Sequence, residues 1–461
     1  MASIPVIVME IVLYASGWQE SSENANEVRD PFMGFTGQQS LFEKSADSQV
    51  YQIRKSRLGY FRPATFLAEK PKNGFRVFVV GGSTVQGRPW ETETAFAKWL
   101  ELGLIACEPK SRIEVINCGG VSYASYRLSL IVDELIEYSP DLIILCTGHN
   151  EFLEKRTYRV ENNLPGFVVS IHQFLSKSRS YRWVRSNVLG FRNRDRAIPE
   201  IGEKVITRLD YENGLDLFTP ETLQRESVAS HFEFNLQRMV STAVNRGVRI
   251  LVLSPPSNLK DCFPFKPHAE WKPEDKSEFR DLNLSELESV PAEKRHADFF
   301  FFRGLRKLAA GNTGGEQDLE RAIDEDICPI RMTSRLRQSL ATVVESGQKK
   351  FGNDQLMFFD LHKRCKAESN SKIVGSELLV DHVHPSVKTH QKIAGWILEL
   401  LHQNQLIHKC PDWTQRHEKL VNDHQESLGF GYFQRGQERL KSVLKWSRGR
   451  AINPLENPSD Q

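Results

Sequence analysis

Five short segments and one lone arginine carry residue types that can do chemistry. In Asp381-His382-Val383-His384-Pro385, Asp381 and His384 stand three apart, so in a turn or a first helical step both side chains face one way. An imidazole that titrates near neutrality can take a proton from a serine hydroxyl. A carboxylate beside it fixes the ring's tautomer and stabilises the imidazolium. Spacing alone leaves two other readings: Asp381 capping a helix beside solvated histidines, or a metal held by Asp381, His382 and His384. The metal lacks a completing ligand, since no cysteine and no further His/Asp pair is suitably spaced, so neither metal nor cofactor is expected. Gly81-Gly82-Ser83-Thr84 offers the hydroxyl, on a turn that glycine makes tight without a Cβ clash. Its spacing is not that of a nucleophile elbow, a dinucleotide fingerprint or a P-loop. In Gly148-His149-Asn150-Glu151, Asn150 can donate its amide to a developing oxyanion, or cap the helix that follows. The turn from Asn117 through Gly119, Gly120 and Ser122 can present a backbone amide to the same place. Asn258, in Ser254-Pro255-Pro256-Ser257-Asn258, reads as a substrate contact or, preferably, as a turn stabiliser. Arg331 reads as a contact for an anionic group or, preferably, as a surface arginine.

These segments sit at the ends of regular elements. Residues 76–80 (RVFVV), 113–117 (IEVIN), 141–146 (DLIILC), 248–253 (VRILVL) and 356–360 (LMFFD) are short apolar runs of buried-strand type. Between them, residues 92–105, 127–138 and 232–243 have helical apolar spacing, with Pro140 and Gly247 as stops, and residues 388–404 form an amphipathic helix. Strand alternating with helix predicts an α/β fold, a parallel sheet covered on both faces. Ligands of such sheets bind beyond the carboxyl ends of the strands, where the glycine-rich, asparagine and serine segments fall.

The rest of the chain is less regular. Residues 1–74 read as an N-terminal hydrophobic segment and an irregular lead-in, and 75–405 as the main domain with insertions at 153–230 and 261–345. In the second insertion, 296–310 and 316–325 form a helical hairpin. Residues 406–461 form a tail with one helix near 434–446 and a polar, Pro/Asn/Ser-rich end. Residues 4–18 are apolar but interrupted by Glu10, and read equally as a packed helix or as the end of an anchor that starts upstream; localisation stays open. Residues 177–196 are basic, read first as a solvated helix face and alternatively as a surface for anionic lipid or acidic glycan. With 61 Lys plus Arg against 59 Asp plus Glu, the whole chain is near neutral, which speaks against a nucleic-acid-coating protein. Seven cysteines are too few for a disulfide scaffold, and Cys118 and Cys146 lie in apolar runs as buried thiols.

Taken in order, the blocks GGSTVQG, INCGGVSYASYR, PDLIILCTGHNEF and DHVHPS resemble those of the SGNH/GDSL hydrolase superfamily, over about residues 75–152, 232–260 and 355–404. They look closest to large bacterial members, which often carry an N-terminal anchor and tetratricopeptide-like helices. The resemblance implies a flavodoxin-like three-layer α/β/α fold. It implies Ser83 as nucleophile, Asp381 and His384 completing a triad, and an oxyanion hole of the Ser83 amide, Asn150 and a second-block amide. Aligned on Asn117-x-Gly119, the usual oxyanion glycine falls on Ser122, with Gly120 two positions earlier. Gly82 replaces the usual aspartate of the first block and Glu151 that of the third. The expected activity is hydrolysis of a carboxylic ester of a small molecule, glycan or lipid. An O-acyltransferase with the same triad and a catalytically silent scaffold are the alternatives.

Overall fold

The computed structural model describes residues 30, 32–33, 35, 37–156, 201–202, 204–211, 213–272 and 274–448. The apolar stretch 4–18 and the basic stretch 177–196 lie outside them. The chain divides into two units. The smaller comprises 1–39 and 156–204, of which few residues are described; the larger comprises 40–155 and 205–461 and holds every element below.

The larger unit is built on five parallel strands: β4 (Gly74–Gly81), β5 (Arg112–Gly119), β6 (Leu142–Cys146), β7 (Arg249–Leu253) and β8 (Leu356–Phe359). Their order is β5-β4-β6-β7-β8. Counted within the sheet this is 2-1-3-4-5, the flavodoxin-like order, with its switch point between β4 and β6. Strand β4 pairs with β5 and β6, bringing Gly81 level with Gly119 and Cys146, so three chain segments leave the sheet side by side.

Both sheet faces are buried, as parallel sheets require. Along β4, Val77 and Val79 pack with Phe96, Trp99 and Leu104 of α2 (Phe96–Cys107) and with Ile393, Ile397 and Leu401 of α9 (Val387–Gln403). On the other face lie α3 (Ser125–Leu135), α4 (Arg225–Asn245) and α7 (Ser334–Phe351), with α4 contacting both of the others. Beside them Phe78 meets Phe66 and Phe42 edge-on, at 5.3 and 6.3 Å. Those two phenylalanines belong to an antiparallel sheet of β1 (Phe42–Lys44), β2 (Val50–Ile53) and β3 (Thr65–Leu67), inside the segment expected to be irregular. Buried Arg76 ties the sheets together by donating to Glu114 on β5 and to the Leu67 and Tyr138 carbonyls.

The hairpin of the second insertion forms as α5 (Ala297–Ala309) and α6 (Gly315–Glu325). The tail is helical over a longer stretch than expected: α10 (Trp413–Arg448) is broken by non-helical Gly429 and packs on α2. No helix among the described residues is long and apolar enough to cross a membrane. All seven cysteines are free, and burial pushes the Cys146 thiol up to about 12.

Candidate active site

The first block folds as strand β4, a turn at Gly82 and the single-turn helix α1 (Ser83–Gln86), ended by Gly87 at φ 99°. Ser83 is the first residue of that turn, where backbone N–H groups have no partner within the helix. The second block is stitched to it. Asn117 donates to the Val85 carbonyl at 2.8 Å, and Gln86 donates to the Gly119 carbonyl at 3.0 Å. A Cβ on Gly119 would lie 2.3 Å from the Gln86 nitrogen, so only glycine allows this approach.

Beyond β8 the chain returns to this edge through a tight loop. Ser386, not Asp381, caps α9, accepting from the Thr389 N–H at 3.1 Å. Asp381 is thereby free to turn inward: its Oδ1 accepts from the Val383 and His384 amides at 2.9 and 2.8 Å. Its Oδ2 lies 2.6 Å from His384 Nδ1, and His384 Nε2 lies 2.7 Å from Ser83 Oγ. Residues 301 apart in sequence are thus joined serine to imidazole to carboxylate. Asp381 and His384 are buried, whereas Ser83 is half-exposed, so the array opens to solvent at the hydroxyl. Burial alone would raise the Asp381 pKa. The charges of His384 and His382 and the hydrogen bonds outweigh it and hold the carboxyl well below the usual range, so it stays ionised.

Donor atoms of Asp381, His382 and His384 lie within 4.8 Å of one another. Both ring nitrogens of His384 are already engaged, by Asp381 and Ser83, which leaves this trio short of a free ligand for a metal.

Asn150 is half-exposed at the end of β6 and donates one amide hydrogen to the Tyr123 carbonyl at 3.0 Å, leaving the other. Its Nδ2 lies over Gly82, where a Cβ would come within 2.6 Å of it. Glu151 is fully buried and accepts from the Ser125 amide and hydroxyl at 2.8 and 2.9 Å. A carboxylate at the start of α3 is favoured by the helix dipole, and it pins the third block there.

The second-block turn discriminates between its two candidate amides. Gly119 N–H donates to Asn117 Oδ1 at 2.9 Å, Gly120 N–H to the Gly81 carbonyl at 2.9 Å, Val121 N–H to Tyr60, and Tyr123 N–H to Gly120. The Gly120 amide is therefore spent holding the turn to β4 and is withdrawn as an oxyanion donor. Within that run Ser122 alone keeps an N–H with no acceptor among the described residues. It also sits at φ 63°, the left-handed region that the third position of a type II turn requires and that costs a serine about 1 kcal/mol.

The two residues weighed as substrate contacts, Asn258 and Arg331, point inward. Asn258 is buried; its amide donates to the Asp381 carbonyl at 3.1 Å and its backbone N–H to the His382 carbonyl at 3.0 Å. It braces the Asp381–His384 loop rather than meeting solvent. Arg331 is 1% exposed, not a surface residue, and donates to the Asn258 and Cys262 carbonyls at 2.9 and 2.8 Å, with Asp326 3.8 Å away. Its Nη1 is spent on the fold, and its Nη2 is buried beside Asp326 with no hydrogen-bond partner among the described residues, out of reach of a substrate anion in solvent.

One histidine in the third block had no role in the reading of the sequence. His149 is buried beside Asn150, and its Nδ1 accepts from the Met332 N–H at 3.1 Å. Burial, with His382, Arg337 and His384 nearby, pushes its pKa far below the usual value, against the pull of Asp381. Its signal in the sequence was only its place between Gly148 and Asn150.

No protein-family model and no curated protein matches this chain. Among solved structures, its neighbours include esterases and acylhydrolases. An acetylxylan esterase of Geobacillus stearothermophilus is 13% identical over 71% of this chain and 95% of its own, with a TM-score of 0.31. The lipase/acylhydrolase of Enterococcus faecalis is 12% identical over 73% and 98%, with a TM-score of 0.34. A protein of Desulfitobacterium hafniense assigned to the lipolytic G-D-S-L family is 10% identical over 71% and 99%, with a TM-score of 0.30. Likeness at this level says nothing about substrate.

Proposed function

We propose that this chain is a serine esterase that hydrolyses carboxylic esters, with residues 75–405 as its catalytic unit. The observation that carries the reading is the continuous array from Ser83 Oγ through His384 to ionised Asp381, at 2.7 and 2.6 Å. His384 Nε2 takes the Ser83 proton as Oγ attacks the ester carbonyl. Asp381 holds the ring with its Nδ1–H toward the carboxylate and stabilises the imidazolium. The negative charge that develops on the carbonyl oxygen is met by the Ser83 N–H, the Ser122 N–H and the second amide hydrogen of Asn150. Removing one such donor typically costs about 2.7–4 kcal/mol of transition-state stabilisation. His384 then protonates the leaving alcohol, and water, activated by the same histidine, releases the acid from Ser83. The substrate class is a carbohydrate or lipid ester, in keeping with the motif resemblance; a fold does not fix a substrate.

The test is turnover of p-nitrophenyl esters of short and medium acyl chains by the wild type and by Ser83→Ala, with product analysis in the presence of an acceptor sugar. Hydrolysis abolished by Ser83→Ala supports the reading. Acyl transfer to the sugar in preference to water replaces it with the acyltransferase. No turnover by folded protein, with no modification by a fluorophosphonate, leaves the scaffold.

A further inference from the structure

Among the residues by which the second insertion meets the catalytic edge, two are consecutive, Arg331 and Met332. Buried Arg331 donates to the carbonyls of Asn258 and Cys262, and Asn258 in turn holds the Asp381–His384 loop by two hydrogen bonds. Met332 is on the other half. Its N–H donates to His149 Nδ1 at 3.1 Å, and its side chain packs on Gly148, where a Cβ would lie 2.9 Å from the sulfur. Gly148 stands at φ 135°, so it needs glycine for its backbone as well as for this contact. Two adjoining residues of one insertion thus grip the acid–base half and the oxyanion half of the site.

His149 is the handle for the second grip. A backbone N–H can only donate, so Nδ1 must present its lone pair, and the ring proton resides on Nε2. His149 is 6% exposed, and its covalent neighbour is Asn150, whose amide must be held to within about 0.5 Å of the position from which it can donate to the developing oxyanion. The Asn150 side chain has one tie among the described residues, to Tyr123, and its backbone carbonyl accepts from the Leu153 N–H at 3.2 Å on a half-exposed turn; the buried His149–Met332 bond anchors the chain on the other side, one residue away.

We infer that His149 is a positioning residue: by accepting from the Met332 amide it lets the second insertion set where Asn150 stands relative to Ser83. The inference rests on the esterase reading and adds to it a task for residues 261–345.

The experiment is a kinetic cycle on p-nitrophenyl acetate. His149→Leu keeps an apolar filler and loses the acceptor. His149→Asn places Oδ1 where Nδ1 stands and keeps it. His149→Leu is expected to lower kcat about 10- to 100-fold with KM within about threefold, because a misplacement near 1 Å costs about that much. His149→Asn should recover kcat to within about fivefold of wild type. In an Asn150→Ala background His149→Leu should add less than about twofold, since it acts through the side chain already removed. Thermal melts establish that each variant is folded. A fall of equal size in both backgrounds, no rescue by asparagine, or no fall at all overturns the inference while wild-type turnover still stands. If the wild type neither turns over esters nor takes a fluorophosphonate on Ser83, the esterase reading falls and this inference with it.

Discussion

Replacing Asp381 by asparagine changes one atom and should disable the array through the tautomer of His384. Oδ1 of Asp381 accepts from two backbone amides, at 2.9 and 2.8 Å, while Oδ2 faces His384 Nδ1 at 2.6 Å. In Asp381→Asn the carbonyl oxygen must keep the two amides, which turns the NH2 group toward His384. That group donates to Nδ1, so the ring proton moves to Nε2 and faces Ser83, leaving no lone pair to take the serine proton. The opposite amide orientation restores the useful tautomer, but it leaves two buried N–H donors without an acceptor, at about 1–3 kcal/mol each. A total of about 2–6 kcal/mol confines the competent form to a minority and lowers kcat between about 30-fold and about 20,000-fold. The assay is p-nitrophenyl ester turnover alongside the second-order rate of fluorophosphonate labelling, with a thermal melt to show folding. A folded Asp381→Asn protein within threefold of wild type in both rates would show that the tautomer of His384 does not depend on the Asp381 carboxylate.

Two further outcomes follow from the same atoms. Gly82→Ala places a Cβ 2.6 Å from Asn150 Nδ2 at a residue whose φ of −88° suits alanine, so the amide shifts and the backbone does not. The expectation is a fall in kcat of about 10- to 100-fold, by loss of part of one oxyanion donor, with an unchanged melting temperature; unchanged kcat refutes it. His390, whose Nδ1 accepts from the Phe96 amide, is pushed by burial from 6.5 to about 3, and His362 and His382 to about 3 and 4. Each has a lower pKa folded than unfolded, so the unfolded chain takes up the proton first as pH falls. The stability they contribute is full above about pH 6.5 and is lost on the way down toward pH 3–4, by up to about 1.36 kcal/mol per pH unit for each group. His390→Phe should flatten the fall in unfolding free energy between pH 6.5 and pH 4, measured by urea titration; an unaltered slope contradicts this.

The five sheet strands were legible because each is a buried apolar run bounded by glycine, proline or polar residues, with the active segments at the carboxyl ends. Strands β1 to β3 were not, since three or four residues such as FEK or TFL are too few to show a period, and their pairing depends on Phe42 and Phe66 meeting Phe78. The long tail helix was missed in part because its apolar positions form only a weak stripe, and α2 supplies the surface it rests on. At the site, the order of the four blocks was enough to nominate Ser83, Asp381 and His384. Choosing Ser122 over Gly120 needed the hydrogen bond that Gly120 makes to Gly81 and the left-handed φ of Ser122, neither of which a residue type announces. Arg331 looked like a surface residue because the two backbone carbonyls it donates to belong to no particular residue type and so leave no mark in the sequence.

The most direct measurement is peptide mapping of the folded protein after reaction with a fluorophosphonate. If Ser83 is the nucleophile, one adduct is expected, on the peptide containing Ser83, absent in Ser83→Ala and slowed in Asp381→Asn. An adduct on a different serine, or none under conditions that modify an active serine esterase run in parallel, would contradict that role.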